Sequence, residues 1–108
     1  MALVYLDAAG ITADLAVRAR QLRGRRADVL EVWLFGSLAT GRAAPGSDAD
    51  LLIVLERHPV KRWFDRAPEF MPAFDGVEVD IDLFPLTREE SARSRLAREA
   101  RAKGRRLA

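Results

Sequence analysis

Residues 29–35 (VLEVWLF) and 51–55 (LLIVL) are two short, nearly uninterrupted apolar runs. Neither alternates apolar with polar residues, as a strand with one wet face would. Both therefore read as strands covered on two faces. The first is closed by Gly36-Ser37, and the second is entered directly from Asp48-Ala49-Asp50 after a loop holding Gly41, Pro45, Gly46 and Ser47. Strands of this kind need a layer on each side, and 108 residues leave few segments to supply them.

The first covering segment is a helix for which Thr12 can act as N-cap, with Asp14 in its first turn. Leu15, Ala19 and Leu22 give it one apolar stripe, and Gly24 loosens its end. Residues 58–76 are the least regular. Pro59 can open a helix there, Pro68 and Pro72 keep it short, and Trp63, Phe64, Phe70, Met71 and Phe74 offer bulk to a sheet face. Trp33 and Trp63 read as core, and His58 as a loop residue with no partner that sequence can name. Asp75-Gly76 makes a turn, and residues 77–84 read as a third strand closed by Pro85. Thr87 and Glu90 form a T-x-x-E capping box for a last helix that runs to Gly104. Residues 1–6 are apolar but too short to assign. The expected product is one α/β (α+β) domain over residues 1–108, with a small mixed sheet of about three strands flanked by helices.

Composition narrows the chemistry. The chain has no cysteine, which removes disulfides, thiolate metal sites and thiol nucleophiles. With one histidine, His58, multi-histidine metal sites are excluded as well. No apolar run approaches membrane-span length, and no leader pattern opens the sequence, so the expected location is the cytoplasm. Net charge is only +2, yet it is unevenly spread: residues 88–108 carry eight bases against three acids, and residues 48–82 nine acids against four bases. The arginines at 93, 95, 98 and 101 read as a solvated helix face or a surface for an acidic partner. Nucleic acid is disfavoured, because no aromatic residues interleave the arginines for base stacking.

What remains for catalysis is oxygen chemistry. Asp48 and Asp50 are two apart at a strand start, so both carboxylates can converge on one point. Two carboxylates held together repel unless a cation lies between them, and hard oxygen ligands of this sort suit Mg²⁺ shared with phosphates. Taken alone, the pair is also compatible with a simple turn. Gly36-Ser37, after a buried strand, allows close approach to the backbone and can hold phosphate oxygens, or can merely turn. Asp80 and Asp82 again share one face, either as a third acid for the first two or as the solvated side of an alternating strand.

Together these residues read G-S-x10-D-x-D, a match expected by chance in roughly one chain in a thousand of this length. WLFGSLATGRAAPGSDADLLIVL, followed by VDIDLFPLTREE and a closing helix, resembles the minimal nucleotidyltransferases of the polymerase-β-like superfamily. The resemblance implies that fold and a Mg²⁺-dependent transfer of a nucleoside monophosphate, AMP from ATP. It implies that Gly36 and Ser37 hold the triphosphate, with Ser47 beside them. Asp48, Asp50 and a third acid would ligate two Mg²⁺ ions. Asp82 is the choice for that acid, from its place in Asp82-Leu83-Phe84-Pro85; Asp80 is the alternative, since a shift of two keeps the face. Where many relatives carry basic residues, this chain has Leu38 and Thr40, leaving Arg42 as the nearest cation for the triphosphate.

So small a chain spends nearly everything on the catalytic core. The acceptor site would then come from a partner chain, a second copy, or an acceptor that is itself a protein. The resemblance implies the last: a tyrosine of a small helical HEPN-type toxin, with this chain as its antitoxin. The other reading is a non-catalytic partner-binding module that keeps the fold and acts by covering its toxin.

Overall fold

The two apolar runs form the middle of a four-stranded sheet. The computed structural model describes residues 6–108, so the expectation for residues 1–5 lies outside the described residues. Strands β1 (Val29–Phe35) and β2 (Ala49–Leu55) pair antiparallel, and β3 (Ile81–Thr87) runs parallel to β2. A two-residue strand, β4 (Arg105–Arg106), lies antiparallel to β1, giving the order β3-β2-β1-β4.

The fourth strand exceeds the three expected. Arg105-Arg106 carries no strand pattern of its own; it is held by its neighbours. Leu107 is buried, and its N–H donates to the Val32 carbonyl at 2.8 Å. Gly104 lets the chain pass close to β1, because a side chain there would run into the carbonyl oxygens of Ala100 and Leu34.

Helix α1 (Ala8–Arg25) covers one face of the sheet. Its N-cap is Asp7, whose carboxylate accepts from the Gly10 N–H at 2.9 Å, and not Thr12, which is buried within the helix. The apolar stripe begins one turn earlier than expected, at Ile11, and continues through Leu15, Ala19 and Leu22. These pack with Phe70 and Phe74 over Val32, Leu34, Leu51, Ile53, Leu55 and Leu83. Each large side chain sealed there contributes about 1.5–3 kcal/mol.

The opposite face is covered by smaller residues. The capping box of Thr87 and Glu90 starts α4 (Arg88–Arg93) as expected, but the helix then breaks. Ser94 is extended (φ −93°, ψ 127°) and its hydroxyl caps a separate helix, α5 (Arg95–Lys103), by accepting from the Ala97 N–H. Ala97 and Ala100 let α5 settle closely on Leu52, Val54 and Leu86. Arg101, expected in solvent, instead reaches Glu31 at 3.2 Å, while Arg93, Arg95 and Arg98 are exposed.

Residues 56–80 depart most from expectation. No helix starts at Pro59; α3 (Trp63–Phe70) starts at Trp63, contains Pro68, and passes into a 3-10 turn at Met71–Phe74. Trp63 is exposed and Trp33 half-buried, so neither is a core residue. The His58 side chain is buried, with Nδ1 accepting from the Val60 N–H and Nε2 at 3.0 Å from Glu69. That arrangement puts the ring proton on Nε2, donating to the carboxylate. Arg66 is only 2% exposed, yet its guanidinium donates to the carbonyls of Val60, Lys61 and Pro85 and in bidentate fashion to Glu90.

That carbonyl contact bears on where β3 ends. Proline cannot donate to a ladder, so a strand over residues 77–84 is expected to close at Pro85, but the strand starts only at Ile81, leaving residues 77–80 outside it, and runs through Pro85 to Thr87. β3 is an edge strand. Pro85 presents its carbonyl outward to Arg66 rather than to β2, where a missing N–H costs nothing.

Candidate functional site

Strand pairing alone brings the candidate acids together. Asp50 is the partner of Phe35 on one side and of Asp82 on the other. Since side chains alternate, Asp50 shares the face of Leu52 and Val54, and Asp82 that of Phe84 and Leu86. The cover over this face thins at its Asp50 end: Asp50 is half-buried, whereas Asp48 and Asp82 are exposed. Asp48 lies just before β2, at the end of the Gly46-Ser47 turn.

The electrostatics fit that geometry. Burial pushes the Asp50 carboxyl above its ordinary range, and the charges of Asp82 and then Asp48 push it the same way. Asp80 takes no part in this group. Its carbonyl accepts from the Ala49 N–H at 2.9 Å, and it lines a cleft on the far side of Asp48. Of the two acids open in the sequence, Asp82 is therefore the one set opposite Asp50.

Gly36 adjoins the acids through the end of β1. Its φ of 80° and ψ of −158° belong to glycine, and any Cβ there would collide with Asp50 Oδ2. The chain then winds into α2 (Ser37–Thr40), whose Ala39 and Thr40 N–H groups turn back to the Gly36 carbonyl. Thr40 adds its hydroxyl to the same carbonyl at 3.2 Å, and Leu38 is buried.

Two clefts flank the acids. One, of about 360 Å³, is lined by Phe35, Gly36, Ser37, Thr40, Arg42, Glu99 and Lys103. Arg42, the first cation after Gly36-Ser37 in the sequence, is one of the residues lining it. Lys103 is a second cation that sequence reasoning missed; it comes from the last turn of α5, and only the packing of that helix brings it to Ser37. The other cleft, of about 300 Å³, includes Ser47, Asp48, Glu78 and Asp80. Ser47 sits here and not beside Ser37, and its hydroxyl accepts from the Ala44 N–H at 2.9 Å, holding the loop that presents Asp48. A larger cleft of about 520 Å³, near Arg20, Arg23 and Ala108, is lined by none of these acids.

Hard carboxylate oxygens facing one another beside a stripped-down glycine suit a small dication. Among the described residues no three acidic or histidine side chains already form a cage for an ion. Mutual repulsion keeps such carboxylates apart, and a cation would draw them in.

Comparison with known proteins meets this geometry. The family model described as a nucleotidyltransferase domain matches residues 16–106. The protein adenylyltransferase MntA of Thermococcus cleftensis is 33% identical over 81 residues, covering 75% of this chain and 79% of that protein. The crystal structure of a nucleotidyltransferase candidate from Sulfolobus solfataricus matches 92% of this chain and 80% of its own, with a TM-score of 0.67. At 20% identity that match speaks for the fold alone. Among the described residues, no helix is long and apolar enough to cross a membrane.

Proposed function

Because this chain belongs to the nucleotidyltransferase domain family and is a transferase, we propose that it adenylylates a partner protein. A hydroxyl of the partner attacks the α-phosphorus of ATP, the bond to the β-phosphate breaks, and pyrophosphate leaves. Following the family resemblance, the acceptor is a tyrosine of a small helical HEPN-type toxin, which the transfer silences.

The observation that carries this reading is the carboxylate corner, with Asp50 opposite Asp82, Asp48 alongside and Gly36 pared back to make room. Asp48, Asp50 and Asp82 would hold Mg²⁺. When bound, it supplies neutralisation across the attacking and leaving oxygens. Gly36 and Ser37 bring the backbone up to the phosphates, and Arg42 and Lys103 offset their charge. Ser47 serves by holding the Asp48 loop. In this reading Asp82, on the edge strand away from Ser37, would receive the acceptor hydroxyl, and the leaving pyrophosphate would face the two cations.

The test uses ATP labelled at either the α- or the γ-phosphate, with Mg²⁺ and the product of the neighbouring gene as acceptor. Label retained from the α-position only, and lost in Asp48→Asn, supports adenylyl transfer. Label from the γ-position would mean phosphoryl transfer, and unlabelled acceptor that is still neutralised by Asp48→Asn would favour the binding-module reading.

A further inference from the structure

Three of the five exposed large apolar side chains among the described residues, Val60, Trp63 and Phe64, fall within five positions at the start of α3. Phe64 is 53% exposed. The fold does not need these rings outside, because α3 is already anchored by buried Phe70 and Arg66. Nor are they scattered. Phe64 meets Trp63 edge-on at 5.6 Å, Trp63 lies 5.2 Å from Phe84, and Phe84 lies 5.5 Å from Phe35. Phe84 is two residues past Asp82 on the same face of β3, and Phe35 lines the cleft with Gly36 and Ser37. A track of aromatic rings therefore leads from the outer edge of the domain to the carboxylates. Rings in mutual contact and wet on one side are characteristic of binding surfaces.

The rim of this track is basic. Arg57, Lys61 and Arg62 are exposed, and none makes an ion pair among the described residues. Arg62 lies over the Phe64 ring at 5.9 Å, and residues 57–64 contain no acid. We infer that the track docks the acceptor protein through a segment combining apolar with acidic side chains, and so delivers its hydroxyl to Asp82. This rests on the adenylylation reading above. The placement agrees with the chemistry, since in-line displacement needs the acceptor opposite the leaving group. With phosphates at the β1 end, the acceptor comes over β3, where Phe84, Trp63 and Phe64 lie.

The probe is a fluorescein-labelled glutamate–tyrosine copolymer, with a lysine–tyrosine copolymer as charge control. Binding is read by anisotropy and transfer by α-labelled ATP. The acidic copolymer is expected to bind at least about tenfold more tightly than the basic one. Trp63→Ser and Phe64→Ser should each weaken that binding about tenfold without changing ATP affinity. Arg62→Glu should cut the preference for the acidic copolymer, while Met71→Ser, exposed but outside the track, should leave it alone. Equal binding of both copolymers, or binding indifferent to Trp63→Ser and Phe64→Ser, overturns the inference. So does a loss of ATP affinity in those variants, which would make the track a nucleobase platform, or wild-type self-association that they abolish. Track-dependent binding of the copolymer, with no labelling of the neighbouring gene's product from α-labelled ATP, would uphold the docking surface and sink the adenylylation reading instead.

Discussion

Replacing Glu90 with glutamine removes one charge and almost no shape. The glutamine oxygen can still accept from the Thr87 N–H, which Glu90 does at 2.8 Å, so the capping box survives. What is lost is the counter-ion of a buried guanidinium: Arg66 is 2% exposed and donates to both Glu90 oxygens, at 2.6 and 3.1 Å. The Arg66 hydrogen bonds hold the Glu90 carboxyl down at about 2, against an ordinary 4.5. That gap is worth about 3 kcal/mol, reduced here to about 2 because a third of the Glu90 side chain meets solvent. A carboxyl held low in the folded state stabilises fully above its unfolded value of 4.5 and loses that contribution as pH falls toward 2. Glu90→Gln should therefore unfold about 2 kcal/mol more easily in urea at pH 7, with the gap to wild type falling below half by about pH 3. A difference that stays constant between those pH values, or one below about 0.5 kcal/mol at pH 7, would refute the account of Arg66 as a charge needing compensation.

Asp50→Asn and Asp82→Asn should each lower label transfer by more than about 100-fold, while thermal unfolding stays unchanged or shifts upward because a like charge has gone. Retention of a tenth of the activity would remove either residue from the proposed metal ligands. Gly36→Ala meets both a φ of 80° and the Asp50 carboxylate, so a stability loss of about 1–3 kcal/mol is expected in urea titration, together with loss of transfer. Lys103→Ala and Arg42→Ala should raise KM for ATP about tenfold and leave kcat nearly unchanged; the reverse pattern would move these cations away from ground-state phosphate binding.

The parts of this fold legible in the sequence are those with local causes. β1 and the core of β2 follow from uninterrupted apolar runs, and α4 begins where Thr87 and Glu90 can bond each other. Gly36, Ser37, Asp48 and Asp50 stand out through spacing, and the placement of Asp82 opposite Asp50 follows from one parallel pairing. What was missed depends on partners distant in sequence. His58 reads as a loop residue with no nameable partner, and nothing in the sequence singles out Arg66, until Glu69 and Glu90 are brought against them. Lys103 reaches the Ser37 cleft only because Ser94 breaks the last helix and redirects α5. Pro85 reads as a strand end because a one-dimensional pattern cannot tell an edge strand from a central one. β4 has no strand signal at all and forms because Gly104 and Leu107 deliver it to β1.

The contact between Arg66 and Pro85 also limits how another chain can meet this one. An exposed edge strand usually invites a visiting peptide to extend the sheet by main-chain pairing. At the centre of β3 a visitor would find no N–H on Pro85, and a carbonyl already accepting from Arg66 at 3.0 Å. Backbone pairing is blocked at this position, whatever the visitor's sequence. Recognition at the centre of β3 then falls to side chains, which makes it selective by composition and disfavours β-strand addition there, with the aggregation that follows from it.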